Sequence, residues 1–345
     1  MLYSIIIEDA KRAEVQNFVD SYGLVQQDFS LKSIYKEQYN FEYKYICCFK
    51  DGQVAGVFPF VHYHSKLGDV IHSMPYIGYG GGCYINKDFK VLKSLIEKLY
   101  KYAEQCNVLL VTICTPPFIR EDISIIKEII KPDFIHENFY QYIDLDDDFL
   151  NGMNSKNRNN LKRNLKIAQN NEVYLKEDYT EASLSYWYDS IYVPRMIETN
   201  CTVYPFSVFN ELRRIMGGKR AFIQYAMQKN NIIGAGIFLK QNKSLDNFMR
   251  VIGTEYMNTN AGVMLDYWSI QYARQHQFLF YNWQSCDRVD SPIFKYKKTW
   301  GSKVDYHYYL TKIINPLDQF KQTPLREIKK EYKGIYVLPY SEFQS

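Results

Sequence analysis

The sequence predicts a mixed α/β (α+β) protein built from two similar units in tandem. Three observations point there. Apolar stretches with period-two and period-3.6 spacing alternate along the chain. The same order of elements, strands then a small-residue turn then a helix then a strand, occurs twice. Short residue matches also recur at nearly constant spacing: Ala55-Gly56 returns as Ala235-Gly236 and Gly82 as Gly262, each 180 residues on, and Tyr102-Ala103-x-Gln105 returns as Tyr272-Ala273-x-Gln275, 170 residues on. Together these make duplication the better reading. The expected domains are residues 1–150 and 151–345, each a mixed central sheet flanked by helices. Two such units should leave a cleft between them, and ligands favour such interfaces.

In the first half, residues 43–49 read as a strand, Asp51-Gly52 as a hairpin turn and residues 53–63 as the return strand. A further strand approaches Met74-Pro75-Tyr76, and the glycine run Gly78 to Gly82 follows. Leu92, Leu95, Ile96, Leu99 and Ala103 share one helix face, and residues 107–114 read as a buried strand. In the second half the strands are 221–228, 232–240 and 245–254, with a turn at Lys229-Asn230-Asn231. Asn260-Ala261-Gly262 then opens a helix carrying Leu265, Trp268 and Tyr272, and residues 278–283 form the closing strand. A polar loop leads on to Phe294-Lys295, and Gly301 closes the unit.

Composition excludes several classes. With 46% hydrophobic and 23% charged residues the chain is globular rather than disordered. A net charge of +4 is too small to argue for bulk nucleic-acid binding. The seven cysteines are odd in number and form no C-x-x-C pair, as in a reduced, cytoplasmic protein. Ile5-Ile6-Ile7 is too short for a signal sequence or a membrane span, so no stable membrane insertion is expected.

Few segments carry chemistry. A helix N-terminus after small residues, as at Asn260, Ala261 and Gly262, leaves backbone N–H groups for an anion. Lys295, one loop later, can hold a carbonyl or phosphate oxygen; its plain alternative is a surface cation. Residues 154–168 form a basic helix with five bases and no acid. Arg158, Lys162 and Lys166 fall on one face, which suits phosphate or a solvated surface balanced by Asp144, Asp146, Asp147 and Asp148. Gly78 to Gly82 lacks the Lys-Ser/Thr ending of a P-loop; it cradles a phosphate, admits a substrate to the backbone or is a turn, and Tyr76 and Tyr79 beside it are either stacking or core rings. His62 and His64 share a strand face, but no third ligand lies within sequence reach, so ordinary strand histidines and no metal are expected. No G-x-S-x-G elbow or activated cysteine appears, so covalent catalysis is not expected.

These residues resemble the FemAB family, the double-GNAT-fold transferases that add amino acids to peptidoglycan precursors, and the wider acyltransferase group around it. The resemblance covers most of the chain. It rests on Tyr22-Gly23, Gln27-Asp28, Pro75 to Gly82, Ser155-Lys156 through Lys162-Arg163, Pro205, Phe209, and Phe294-Lys295 with Gly301. It implies two tandem GNAT-like domains and transfer of an acyl or aminoacyl group from acyl-CoA or aminoacyl-tRNA, as co-substrate rather than bound cofactor. The implied acceptor is an amine of a nucleotide-linked or lipid-linked cell-envelope precursor. It further implies that Lys295 stabilises the transferred carbonyl. Arg158, Lys162 and the 260–262 turn would face the donor, and Lys32, Tyr76, Tyr79, Arg195 and Tyr204 the acceptor. Departures are Asn282 where the family often has Asp, Ser33 at the strict position beside Lys32, and Arg195 displaced from the arginine expected ahead of Pro205. The general base stays open among Asp287, Asp290 and the tyrosines. Because only the second half carries a Phe-Lys…Gly segment, that half is expected to handle the acyl group and the first the acceptor. The alternative is a carbohydrate- or nucleotide-binding protein that keeps the fold without the chemistry; an RNA-binding protein would rest on the basic helix alone.

Overall fold

The computed structural model describes residues 1–7, 12–35, 41–145, 149–286, 288–333 and 335. The chain forms two compact units, Met1–Asn138 with Tyr306–Ser345, and Phe139–Asp305. The second unit therefore begins ahead of the division expected after residue 150. The chain also returns to the first unit from Tyr306, because Tyr309 to Ile313 pair antiparallel with Cys114 to Leu110.

The first unit contains β1 (Leu2–Ile6), α1 (Arg12–Tyr22), β2 (Phe41–Lys50), β3 (Gln53–Tyr63), β4 (Val70–His72), β5 (Cys83–Tyr84), α2 (Phe89–Gln105), β6 (Leu110–Cys114), α3 (Ile123–Ile130) and the start of β7 (Phe134–Asp144). The second holds the rest of β7, then α4 (Ser155–Asn170), β8 (Tyr174–Glu177), α5 (Glu181–Trp187), α6 (Val193–Glu198), α7 (Phe206–Met216), β9 (Ala221–Gln228), β10 (Asn231–Lys240), β11 (Ser244–Ile252), α8 (Ala261–Gln275), β12 (Phe280–Ser285), α9 (Pro292–Thr299) and the start of β13 (Lys303–Ile313). From within β13 the chain is back in the first unit, where α10 (Asp318–Gln322) and α11 (Leu325–Glu331) follow. Strand order is β1-β2-β3-β4-β6-β13 in the first unit, with β5 on β3, and β7-β12-β11-β10-β9-β8 in the second. Both sheets are mixed: β4 with β6, and β11 with β12, are parallel pairs among antiparallel ones.

The internal repeat is carried down to backbone detail. The β2–β3 turn has positive φ at Asp51 and Gly52, and the β9–β10 turn at Lys229 and Asn230. Two consecutive residues with positive φ match the twist of the flanking strands, which is why a two-residue hairpin adopts them. Helices α2 and α8 both end on the glutamine of the Tyr-Ala-x-Gln match. Each is closed by a left-handed residue, Asn107 (φ 53°) or Gln277 (φ 60°). The next amide reaches back to the alanine carbonyl, Val108 to Ala103 at 2.9 Å and Phe278 to Ala273 at 3.0 Å. This closure satisfies carbonyls that a helix end otherwise leaves unpaired.

Core formation follows the apolar spacing. The α2 face of Leu92, Leu95, Ile96, Leu99 and Ala103 is buried against Ile46, Phe58, Phe60 and Val111 of the sheet. On α8 the buried positions Leu265, Ile270 and Ala273 pack into the second unit. Among the described residues no helix is long and apolar enough to cross a membrane.

Candidate functional site

The site begins where two parallel strands part. β11 and β12 pair at Ser244 with Phe280, Leu245 with Tyr281 and Asp246 with Asn282, and their ladder stops there. β11 continues along β10, but its register slips: Ile237 faces Met249 while Phe238 faces Asn247, so Phe248 is an extra residue. A bulge of this kind re-aims side chains and increases local twist. A cleft of about 570 Å³ opens at the parting. Asn247 to Arg250 of β11 and Trp283 to Ser285 of β12 line it, with Asn260 and Gly262 at the start of α8, Tyr296 and Lys297 of α9, and Arg195 of α6.

A buried polar network supports the cleft. Asp266 on α8 is fully buried and takes the Arg250 Nε at 2.9 Å, the Tyr296 hydroxyl at 2.6 Å and the Asn247 amide at 3.2 Å. Burial raises its carboxyl above the usual range, and Arg250, Tyr296 and Asn247 pull it back. Asn247 also donates to the Tyr281 hydroxyl at 3.0 Å, which lies 2.8 Å from the Ser269 hydroxyl. The bound Arg250 explains Gly262, where a Cβ would lie 2.5 Å from Arg250 Nη1. Next to Asn247 but outside the lining, buried Asp246 accepts from Ser244, Gln241 and Gln284 at 2.6, 3.2 and 3.0 Å. Burial nonetheless pushes its carboxyl up to about 7. Asn282, in the position where a family aspartate was expected, is fully buried and its side chain bonds to Asp246. The carboxylate thus sits on the neighbouring strand.

Two lysines of α9 separate cleanly. Lys295 is exposed and does not line the cleft. Lys297 is 7% exposed, lines it, and donates to the carbonyls of Gln284 and Ser285 at 3.0 and 3.1 Å. Burial lowers its pKa, with the Cys286 thiol acting in the opposite sense. The α9 lysine facing the cleft is therefore two residues beyond the one expected. The cause is that the polar loop gives way to a helix before Phe294-Lys295: Phe294 is buried, and a helical neighbour one position on points elsewhere. The signal for that helix was present. Ser291 caps it by accepting from Phe294 N, and Pro292 occupies its first position.

The other expected residues divide as follows. Asn260, Gly262 and Arg195 line the cleft, and Ala261 is buried beneath it. Asn260 has φ 58° and makes no side-chain cap. Arg195 Nη1 bonds Glu198 at 2.8 Å and Thr254 at 3.1 Å. Arg158 instead ties down the turn before α4, donating to the carbonyls of Leu150 and Met153 at 3.1 and 3.0 Å. Lys162 is exposed. A smaller pocket of about 200 Å³ lies between α4 and α9, lined by Asn157, Arg163 and Thr299, and shares Val263 and Tyr296 with the cleft. Tyr204 belongs to an aromatic cluster with Tyr188, Tyr192 and Phe209 rather than to the cleft. Asp290 is exposed and 3.8 Å from Arg288. Asp287, like Asp146, Asp147 and Asp148, lies outside the described residues.

In the first unit the matching parting is closed by the chain itself. The Ser73 hydroxyl takes the amide of Cys114 at 2.7 Å, just past the last β4–β6 pair. The glycine run packs into this place: a Cβ on Gly80 would lie 2.5 Å from the Ser73 carbonyl, and Gly81, at φ 77°, approaches the Cys114 carbonyl. The run is thus a close-packed plug rather than an anion cradle. Tyr79 is 1% exposed and packs edge-on to His307, so it is a core ring, whereas Tyr76 is half-buried against Phe41. Gly82 precedes β5, and α2 begins only after its cap at Asp88, so Gly82 does not open a helix as Gly262 does. Lys32 is half-buried, with its ammonium 4.7 Å above the Phe29 ring.

No family model matches the sequence, and no curated protein matches it. Among solved structures the chain is similar to FemX, with a TM-score of 0.68 at 12% identity over 89% of this chain and 97% of that one. It is also similar to a tandem GNAT protein from the clavulanic acid biosynthesis pathway (TM-score 0.54, 11% identity, 92% and 99% covered). A third likeness is to L-PGS from Bacillus licheniformis (TM-score 0.57, 9% identity, 88% and 92% covered). At these identities the likeness shows the fold: the chain has the FemX-like double GNAT fold.

Proposed function

We propose that the chain is an N-acyltransferase that moves an acyl or aminoacyl group from acyl-CoA or aminoacyl-tRNA to an amine of a cell-envelope precursor, a peptidoglycan or surface-glycan sugar. The observation that carries this reading is the parting of β11 from β12 over a cleft with a buried lysine. Past the last pair, the edge of β11 no longer has β12 as its ladder partner, and an extended acyl or amide chain is the kind of ligand that pairs with such an edge. The Trp283 indole N–H, buried without a hydrogen-bond partner among the described residues, adds a donor at the same wall.

In this reaction the amine nitrogen attacks the donor carbonyl, the C–S or C–O bond to coenzyme A or tRNA breaks, and the amine proton leaves to solvent or a base. Charge develops on the carbonyl oxygen. An ammonium has three N–H donors, and Lys297 spends two on Gln284 and Ser285, which hold it in place. The third meets the Cys286 thiol, a weak partner that the developing oxyanion would displace. Lys297, rather than Lys295, is the lysine proposed for this role. Catalysis then rests on alignment and charge stabilisation with no covalent enzyme intermediate. Arg195 is placed to meet an anionic acceptor, and the base-rich α4 beside the smaller pocket favours a polyanionic donor. Both donors are cytoplasmic metabolites, so the protein acts in the cytoplasm, with no permanently bound cofactor.

Thermal unfolding with acetyl-CoA and, separately, with charged tRNA tests the reading. The true donor stabilises the chain by about 2.7 kcal/mol at a hundredfold excess over its Kd. Failure of both to shift the transition or to support transfer to an amino sugar would sink it and leave the non-catalytic binding alternative.

A further inference from the structure

We propose that Glu42, His62 and His64 in the first unit bind a divalent transition-metal ion of the Zn²⁺ type. The inference is independent of the acyl-transfer site. Glu42 on β2 lies directly opposite His62 on β3, and His64 follows two residues on, on the same face. The imidazole centroids of His62 and His64 are 4.3 Å apart. Glu42 Oε2 lies 3.9 Å from His62 Nδ1 and 3.6 Å from His64 Nε2. Ligands on one zinc ion at bonds of about 2.0–2.1 Å stand roughly 3.4 Å apart in a tetrahedron, and the three donor atoms here all lie within 4.8 Å of one another.

The other nitrogens of the two rings decide the matter. His62 Nε2 and His64 Nδ1 both meet a single oxygen, Asp69 Oδ2, at 3.0 and 2.8 Å. Asp69 is itself anchored through Oδ1, which accepts from Ser65 N at 3.1 Å. A carboxylate that accepts N–H from both rings leaves His62 Nδ1 and His64 Nε2 as the lone-pair nitrogens, and these face Glu42. Metal-binding histidines are oriented by carboxylates in this way. The Tyr102 hydroxyl, 3.0 Å from His62 Nδ1, is the group an ion displaces. Lys44 holds the second oxygen of Glu42 at 2.6 Å, which leaves Oε2 for the ion. Solvent completes the coordination shell at the exposed side, where Glu42 and His64 are each 46% exposed.

The experiment is a calorimetric Zn²⁺ titration of tag-free, full-length protein, with Co²⁺ absorption as a readout of coordination. One ion per chain is expected, with a rise in the thermal midpoint. Glu42→Gln and His64→Ala should each weaken binding at least tenfold and abolish the rise. Both positions are half exposed, so circular dichroism should show the fold retained. Asp69→Asn should weaken binding about 10–100-fold by releasing both rings. Absence of Zn²⁺ binding, or binding as tight in His64→Ala as in the wild type, overturns the proposal, the latter by assigning the ion elsewhere.

Discussion

Replacing Lys297 by alanine separates the two α9 lysines. Two effects follow from its surroundings. The carbonyls of Gln284 and Ser285 lose their donor, and a buried acceptor left unpaired costs about 1–3 kcal/mol of stability. The developing oxyanion loses a preorganised cation, which for a single donor of this kind is about 2.7–4 kcal/mol of barrier, or roughly 10²–10³ in rate. Lys295→Ala removes an exposed side chain and should stay within about 0.5 kcal/mol in stability and twofold in rate. Lys297→Met keeps the aliphatic stem and isolates the charge. The assay is transfer of labelled acyl group, at saturating concentration of whichever donor shifts the melting transition, with urea unfolding run in parallel. Burial holds the Lys297 pKa below that of an ordinary lysine, so its ammonium deprotonates at lower pH and the rate should fall early on the alkaline side. A hundredfold loss in Lys295→Ala, with Lys297→Ala within twofold of wild type, refutes the reasoning.

Two further expectations concern Gly262 and Asp246. Gly262→Ala puts a methyl 2.5 Å from Arg250 Nη1 while Asp266 holds the same guanidinium, so overpacking of about 1–3 kcal/mol should outweigh the gain of up to about 1 kcal/mol in helix propensity; an unchanged urea midpoint would show that Arg250 yields freely. Asp246 has its carboxyl raised on folding, so the folded state binds its proton more tightly and stability falls as pH rises from about 4 to about 7. The ceiling is about 4 kcal/mol at 1.36 kcal/mol per pK unit. Asp246→Asn should therefore lose less stability than wild type between pH 5 and pH 8, and equal losses would contradict the shift.

The fold was largely legible because its strongest signals are local. The Asp51-Gly52 turn, the α2 stripe and the Tyr-Ala-x-Gln match each report on a few adjacent residues, and each lies where its pattern places it. Asn260 and Gly262 were visible as cleft residues for the same reason. What escaped is set by pairing between distant segments. Lys297 is held at the cleft by the β12 carbonyls of Gln284 and Ser285, and α9, only eight residues long, has too short a period to stand out beside the Phe-Lys dipeptide. The return of β13 to β6 depends on partners some two hundred residues apart, so the unit boundary was not readable from composition. The proposed third ligand for the histidine pair, Glu42, is brought opposite His62 by strand register, twenty residues before it, where sequence spacing gives no hint.

The Ser73 contact has a consequence for how the two halves could have diverged. Once a duplicated half has filled its own opening with its own backbone, the change is hard to reverse. Removing the Ser73 hydroxyl strands the Cys114 amide, and any side chain on Gly80 collides with the Ser73 carbonyl. Stranding that amide alone carries a folding penalty of about 1–3 kcal/mol. If the two halves share an origin, the filled opening of the first is hard to recover, whereas the parting of β11 from β12 in the second still leaves a cleft.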